Sequence, residues 1–275
     1  MRRNLTFLII GLLLLSLSGQ AQEHDHSTSG SIPLEILERP VPIRSGIGNS
    51  HEQITTSSQE AQKYYDQGLS YLYSYVWIEA ARSFNQALRV DPNVSMAYLG
   101  LSYCYSGLGA TSAARQALAT AQAGSAKLTE LERQRIAIRA SQIEAIATVG
   151  PSEAAIRAKY IAVIEHALQL FPRNADLWLL RGNAEEVSAA GWGQRGLESS
   201  LQYYKRAIAI SPDNFAGHHF ISHSLENLGR YQDALDEAEV YAKLAPMIPH
   251  AHHMCGHDLR RVGRMADAIA EFEKA

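Results

Sequence analysis

The sequence predicts an all-α solenoid of about six antiparallel helix pairs, and three observations predict it. A 34-residue period runs through much of the chain, small and large residues recur at fixed places within that period, and glycine recurs where each first helix should turn. Phase is set by Pro92, taken as the residue that closes a unit. Tyr64, Tyr71 and Phe84 then occupy positions four, eleven and twenty-four, while Gly68, Ala80 and Ala87 occupy eight, twenty and twenty-seven. The reason is steric. Small residues let two helices approach closely, and large ones fill the gap between them.

Three further units fall on the same template. One begins at Ser95 (Tyr98, Leu101, Tyr105, Gly109, Ala114, Leu118, Ala121), one runs from Phe215 to Ile248 (Leu225, Gly229, Ala234, Pro246), and one begins at Pro249 (Gly256, Leu259, Gly263, Ala268, Phe272, Ala275). Ala238 and Tyr241 exchange a large and a small position. Gly109, Gly229 and Gly263 stand at position fifteen, where a first helix ends in a left-handed residue. This pattern resembles the tetratricopeptide repeat (TPR), and the resemblance implies a right-handed superhelical solenoid that binds partners along a concave groove and rarely hosts chemistry of its own.

Between residues 128 and 214 the period loosens. Thr129 and Glu132 form a capping box for a helix reaching about Ala147, Pro151 breaks it, and a second helix continues to Phe171-Pro172. Trp178 and Gly182 open the following unit, which carries about six extra residues around Ala189 to Gly193. The units are placed near 61–94, 95–124, 128–173, 174–214, 215–248 and 249–275, within an array spanning 57–275 that Ser57 and Glu60 open with a second capping box. The last unit stops inside its second helix at Ala275, so its end is expected to pack on something else, end to end.

Residues 1–21 read as a secretory signal peptide: Arg2 and Arg3, an uncharged apolar run from Leu5 to Ser18, then Gly19-Gln20-Ala21. The run is shorter than the ~20 residues that span a bilayer, so membrane contact is expected only before cleavage. The destination is periplasmic or secreted, in a bacterial envelope. No cysteine near the cut offers a lipid anchor. Cys104 and Cys255, too few for a disulfide framework, are expected as unpaired, mostly buried thiols. Residues 22–56, polar and interrupted by Pro33, Pro40 and Pro42, read as an extended or disordered leader. With 25 basic against 28 acidic residues, there is no basic field to hold nucleic acid.

Seven of the eleven histidines lie between His218 and His257. His219 and His223 stand at positions five and nine of their unit, and His253 and His257 at the same positions of the next. Histidines four apart on a helix are ~5–6 Å apart at Cβ, a chelating arrangement. Neighbouring first helices lie ~8–10 Å apart, close to the widest gap one ion bridges. These four are the metal-ligand candidates, for Zn²⁺, Cu²⁺, Ni²⁺ or a haem. No cofactor is fixed by the residues alone. The groove stripe also takes Tyr65, Tyr103, Asn183, Glu186, Glu226, His250 and Arg260, and a protein or peptide is its expected partner. His218 and His252 fall at position four, where an imidazole reads as a packed aromatic substitute. Arg261 and Arg264 read as surface charges near a helix C-terminus.

His-Glu-x-x-His, Gly-x-Ser-x-Gly and phosphate-loop patterns do not occur, so the expectation is a binding protein and not an enzyme. The segments His218-His219-Phe220-Ile221-Ser222-His223 and Pro249-His250-Ala251-His252-His253-Met254, continuing through Gly256-His257-Asp258-Leu259-Arg260-Arg261, resemble a group of exported bacterial TPR proteins with a His-rich helix pair. The likeness extends to Asp66-Gln67-Gly68-Leu69 and to Leu179 through Glu186. It implies the fold and export and leaves the ligand open. The leading expectation is an exported scaffold binding a protein segment in its groove; the rival is a metal or haem protein built on the histidines.

Overall fold

The computed structural model describes residues 33–124, 127–185 and 198–275. Within them a short helix α1 (Leu34–Leu37) precedes six antiparallel pairs. These are α2 (Gln59–Tyr73) with α3 (Trp77–Val90), α4 (Ser95–Gly107) with α5 (Thr111–Ala123), and α6 (Glu130–Ala147) with α7 (Glu153–Leu170). They continue as α8 (Ala175–Asn183) with α9 (Glu198–Ile210), α10 (Phe215–Asn227) with α11 (Tyr231–Leu244), and α12 (Pro249–Arg261) with α13 (Met265–Phe272). Among the described residues the regular structure is helical throughout, as the repeat pattern requires, and no helix is long and apolar enough to cross a membrane. The signal peptide, Glu186 and the extra residues around Ala189 to Gly193 lie outside the described residues.

The small positions act as the steric argument demands. A Cβ built on Gly68 would sit 2.5 Å from the Phe84 ring, on Gly182 2.2 Å from Tyr204, and on Gly256 2.6 Å from Phe272. In each pair the backbone of the first helix touches an aromatic ring of the second. The exchange at Ala238 and Tyr241 has a visible cause: Tyr241 stacks on His219 at 4.7 Å between ring centroids and on Phe215 at 6.0 Å, filling space that its own unit leaves open.

Caps fix the starts of the helices. The Thr129–Glu132 box is formed, with Glu132 also accepting from Thr55. At α2 the cap is Ser58 and not Ser57, because the Ser58 hydroxyl is the one that accepts from the Ala61 amide. Cys104 and Cys255 are buried and form no disulfide.

Two features change the picture of an open groove. First, the array folds back until the turn after α2 meets α10: the Tyr73 carbonyl accepts a 2.7 Å hydrogen bond from His219, and the Tyr73 and Phe220 rings meet edge to face. Second, residues 33–56, expected as an extended or disordered leader, are largely irregular in backbone yet packed. Leu37, Val41, Ile47 and Ile54 are buried. Asn85 and Arg82 hold the carbonyls of Leu37, Arg39 and Pro40, and the Gln67 side chain bonds both the Pro42 carbonyl and the Arg44 amide. Gln62 does the same with the Glu52 carbonyl and the Ile54 amide. The Met247 amide donates to the Gly46 carbonyl, and Asn49 reaches Asp213. Polarity misled the sequence reading: the leader contributes four buried apolar anchors, and its main chain is satisfied by side-chain amides in place of a helix or sheet.

Substituting Gly68 by Ala should place a methyl group inside the Phe84 ring contact. Overpacking of this kind costs about 1–3 kcal/mol, and urea unfolding should show it as a lower midpoint with an unchanged slope.

Candidate functional site: a histidine cluster closed by the first repeat

Helices α10 and α12 run side by side, but position two of α12 lies beside positions five and nine of α10. His219, His223 and His250 therefore come together, each offering one nitrogen, with all three ligand atoms within 4.8 Å of one another. His250 Nε2 lies 3.0 Å from His219 Nε2 and 3.3 Å from His223 Nε2. His219 is fully buried, and the other two are half-buried.

The tautomer of His219 follows from its neighbours. A carbonyl can only accept, so Nδ1 carries the hydrogen that points at the Tyr73 oxygen. Burial, followed by the nearby His223 charge, holds the His219 pKa well below the ordinary imidazole value, although the Tyr73 bond opposes this. The neutral ring thus turns its Nε2 lone pair toward His223 and His250. A backbone carbonyl fixing the far nitrogen is the arrangement that orients metal-bound histidine. Separations of 3.0 and 3.3 Å between Nε2 atoms also suit a small ion: bonds of ~2.0–2.1 Å in tetrahedral geometry place ligand nitrogens roughly 3.3 Å apart.

Tyr75 covers the cluster. Its ring centroid lies 4.6 Å from that of His219 and 5.6 Å from those of His223 and His250, with stacking on Trp77 and Phe220 behind it. Its backbone is left-handed, φ +57°, and it is the sole non-glycine residue with positive φ among the described residues. It stands at position fifteen of its unit, where Gly109 (φ +74°), Gly229 (+75°) and Gly263 (+84°) stand in theirs. A side chain at that place costs ~1–2 kcal/mol in backbone strain, and here it closes the cluster from the opposite end of the array. The signal was available in the sequence as a tyrosine in a glycine position.

The family profile described as tetratricopeptide repeat matches residues 65–127. Over that stretch the chain carries the tetratricopeptide-repeat pattern. Among solved structures, the chain is similar to TTC0263, a thermophilic TPR protein of Thermus thermophilus, at 20% identity, with 76% of this chain and 99% of that one covered and a TM-score of 0.46. It is also similar to yeast Tom70 at 16% identity, covering 83% of this chain and 47% of that one, with a TM-score of 0.45. The corresponding figures for the MamA protein are 15% identity, 78% and 90% coverage and a TM-score of 0.36. No curated protein matches the sequence.

Of the four histidines expected to share one ion, the helical array brings His219 and His223 to His250 and leaves His253 and His257 beside each other, their ring centroids 4.5 Å apart. His253 stacks on His250 at 5.6 Å, and His257 Nδ1 lies 3.7 Å from Glu226. Burial alone would raise the Glu226 pKa, but His257, His223 and Arg261 together bring it down to about 2, whereas burial and then the Glu226 charge push buried Asp258 up to about 8.

The remaining stripe residues do not line an open groove. Tyr65 is buried under the leader, its hydroxyl donating to Glu52. Tyr103 is buried beneath the Arg139 guanidinium, 4.1 Å from its ring centroid, and buried Asn183 accepts from Tyr204. Arg260 is exposed, and it is Arg261 that reaches Glu226. The groove expected at these positions is an interior, because the leader and the long helix α6 fill it: Glu52 meets Arg135 there, and Arg135 donates to the Tyr73 hydroxyl.

His218 and His252 are packed supports. Each sets Nδ1 against a glutamate on the second helix of its unit, Glu237 and Glu271, and Nε2 against the carbonyl of Pro212 or Pro246. Both acceptors of His218 demand hydrogen. Burial lowers its pKa, yet Glu237 and the Pro212 carbonyl outweigh that and raise it.

Two outcomes follow. At φ +57° the usual order of Ala and Gly inverts, so Tyr75→Gly should melt higher than Tyr75→Ala by an amount equivalent to about 1 kcal/mol. For His218, whose folded pKa lies above the unfolded ~6.5, the stabilisation is complete below ~6.5 and fades as pH rises through the folded value. Urea titrations of His218→Gln should therefore show a deficit of about 1–3 kcal/mol near pH 5.5 that shrinks by pH 9.

Proposed function

We propose that this protein is an exported TPR protein that holds one transition-metal ion, Zn²⁺, Cu²⁺ or Ni²⁺, on His219, His223 and His250. The observation that carries the reading is the convergence of three imidazole nitrogens at 3.0 and 3.3 Å with the His219 lone pair fixed by the Tyr73 carbonyl. Neutral imidazoles suit these ions by ligand softness. A haem is disfavoured, because the rings of Tyr75, Phe220 and Tyr241 pack against these imidazoles where its plane would have to lie. The role is binding and not catalysis, which agrees with the lack of any catalytic pattern in the sequence. Export rests on the signal-peptide reading of residues 1–21.

A second reading, capture of an extended protein segment, is favoured by one observation. Gln62 and Gln67 each grip a donor and an acceptor of the leader main chain, a mode of recognition indifferent to side-chain sequence. In this structure the segment so held belongs to the chain itself.

The test uses full-length exported protein purified without a polyhistidine tag. Elemental analysis and titration with Zn²⁺ and Cu²⁺ should find one tightly held equivalent, lost in His223→Ala/His250→Ala, whose circular dichroism should remain helical. An ion at a thousand times its Kd should stabilise the wild type by about 4 kcal/mol. Equal and weak binding by the two proteins ends the metal reading.

A further inference from the structure

We propose that residues 46–49 of the leader form a strap that positions the histidine triad, so that docking of the strap and binding of the ion favour one another. The inference rests on the metal reading above and adds what assembles and regulates that site. Three observations carry it. First, the strap touches the start of each helix that supplies a ligand. The Gly46 carbonyl accepts a 2.7 Å bond from the Met247 amide, just ahead of α12 and His250, and Asn49 donates a 2.8 Å bond to Asp213, just ahead of α10. Between them Gly48 (φ +100°) lies so close to the first residue of α10 that a Cβ there would sit 2.3 Å from the Phe215 ring. Second, the flanks of the strap are fastened to the first unit: Gln67 bonds the Pro42 carbonyl and the Arg44 amide, and Gln62 the Glu52 carbonyl and the Ile54 amide. Third, that same unit meets the rings directly. Its Tyr73 carbonyl accepts from His219 Nδ1, and its Tyr75 ring packs on all three imidazoles.

The stagger between α10 and α12 decides whether His250 reaches His219 and His223, and a segment bonded at the start of both helices fixes that stagger. Ligands already held in the bound geometry take an ion without the cost of ordering them. The converse follows by linkage: whatever the strap does for the ion, the ion does for the strap. Coordination at Nε2 draws electron density from the His219 ring and makes its Nδ1–H a stronger donor to the Tyr73 carbonyl, turning a neutral hydrogen bond toward a charge-assisted one. The gain is on the order of five- to ten-fold in an equilibrium constant. It falls on the first unit and the strap, which supply none of the three ligands.

Zn²⁺ is the probe, added to the full-length exported protein. In hydrogen–deuterium exchange it should slow the amides of the strap and of the turn from Tyr73 to Val76 by about five- to ten-fold in wild type, and leave them unchanged in His223→Ala/His250→Ala. Competition against a chromogenic chelator should show Zn²⁺ held about five-fold or more weakly by Gly48→Ala. Asn49→Ala, which removes one exposed contact and leaves the fold intact, should shift affinity in the same direction. Asn85→Ala frees the Leu37 carbonyl, away from α10 and α12, and should bind as wild type does, which separates positioning from a general loss of stability. Tight Zn²⁺ binding with unchanged strap exchange, or wild-type affinity in both strap variants, overturns the proposal. An equal loss of affinity in Asn85→Ala does so as well. Absence of a tight equivalent from wild type is a different failure: it ends the metal reading, and this inference with it.

Discussion

The hydrogen bond from His219 Nδ1 to the Tyr73 carbonyl joins residues 146 apart in sequence, and the character of the molecule depends on it. In a helical-repeat array each unit contacts its neighbours, and stability is close to a sum of local terms. Here the turn of the first unit reaches the fifth, so the ends are coupled. Tyr75 carries the same closure further, accepting a left-handed backbone so that its ring lies over three imidazoles. Strain is tolerated there because the rings of Trp77 and Phe220 stack on Tyr75 and hold it in place.

Closure converts what would be a surface into a core. A concave stripe in an open array would be wet, and Tyr65, Tyr103 and Asn183 would be available to a partner. In this chain the leader and α6 occupy that space, bringing charged groups inside with partners arranged for them: Glu52 faces Arg135, and Arg139 stacks on Tyr103 while donating to Ser102, Ser106 and Gln142. The histidines inherit the consequence. His219 is neutral because it is enclosed, and an enclosed neutral imidazole with one nitrogen already committed has a single lone pair to offer.

The repeat was legible because its grammar is local. Gly68 against Phe84, or the turn at Gly109, is dictated within one 34-residue unit, and the same residue types recur at the same spacing. The cluster was half legible for the same reason: register placed His219 with His223 and His253 with His257, each on one helix. What register could not supply is the stagger between α10 and α12, which sets His250 beside the first pair and leaves the second pair outside. Tyr73 and Tyr75 were illegible as partners of the histidines, since nothing in a local period reports a contact between the first unit and the fifth. The leader was misjudged by its polarity, because its bonds are made by glutamines on α2 that look like ordinary surface residues.

The Asn49–Asp213 contact spans 164 residues of chain. The leader can dock on α2 and α3 early, but Asn49 and Gly46 must wait for residues 213 and 247 to be made, so long-range contacts are laid over an array built from short-range hairpins. Early units can assemble in sequence as they emerge, but the final step must wait for nearly the whole polypeptide. Closure between the first unit and the fifth is therefore a late step, one that an unclosed array of the same helices would not need.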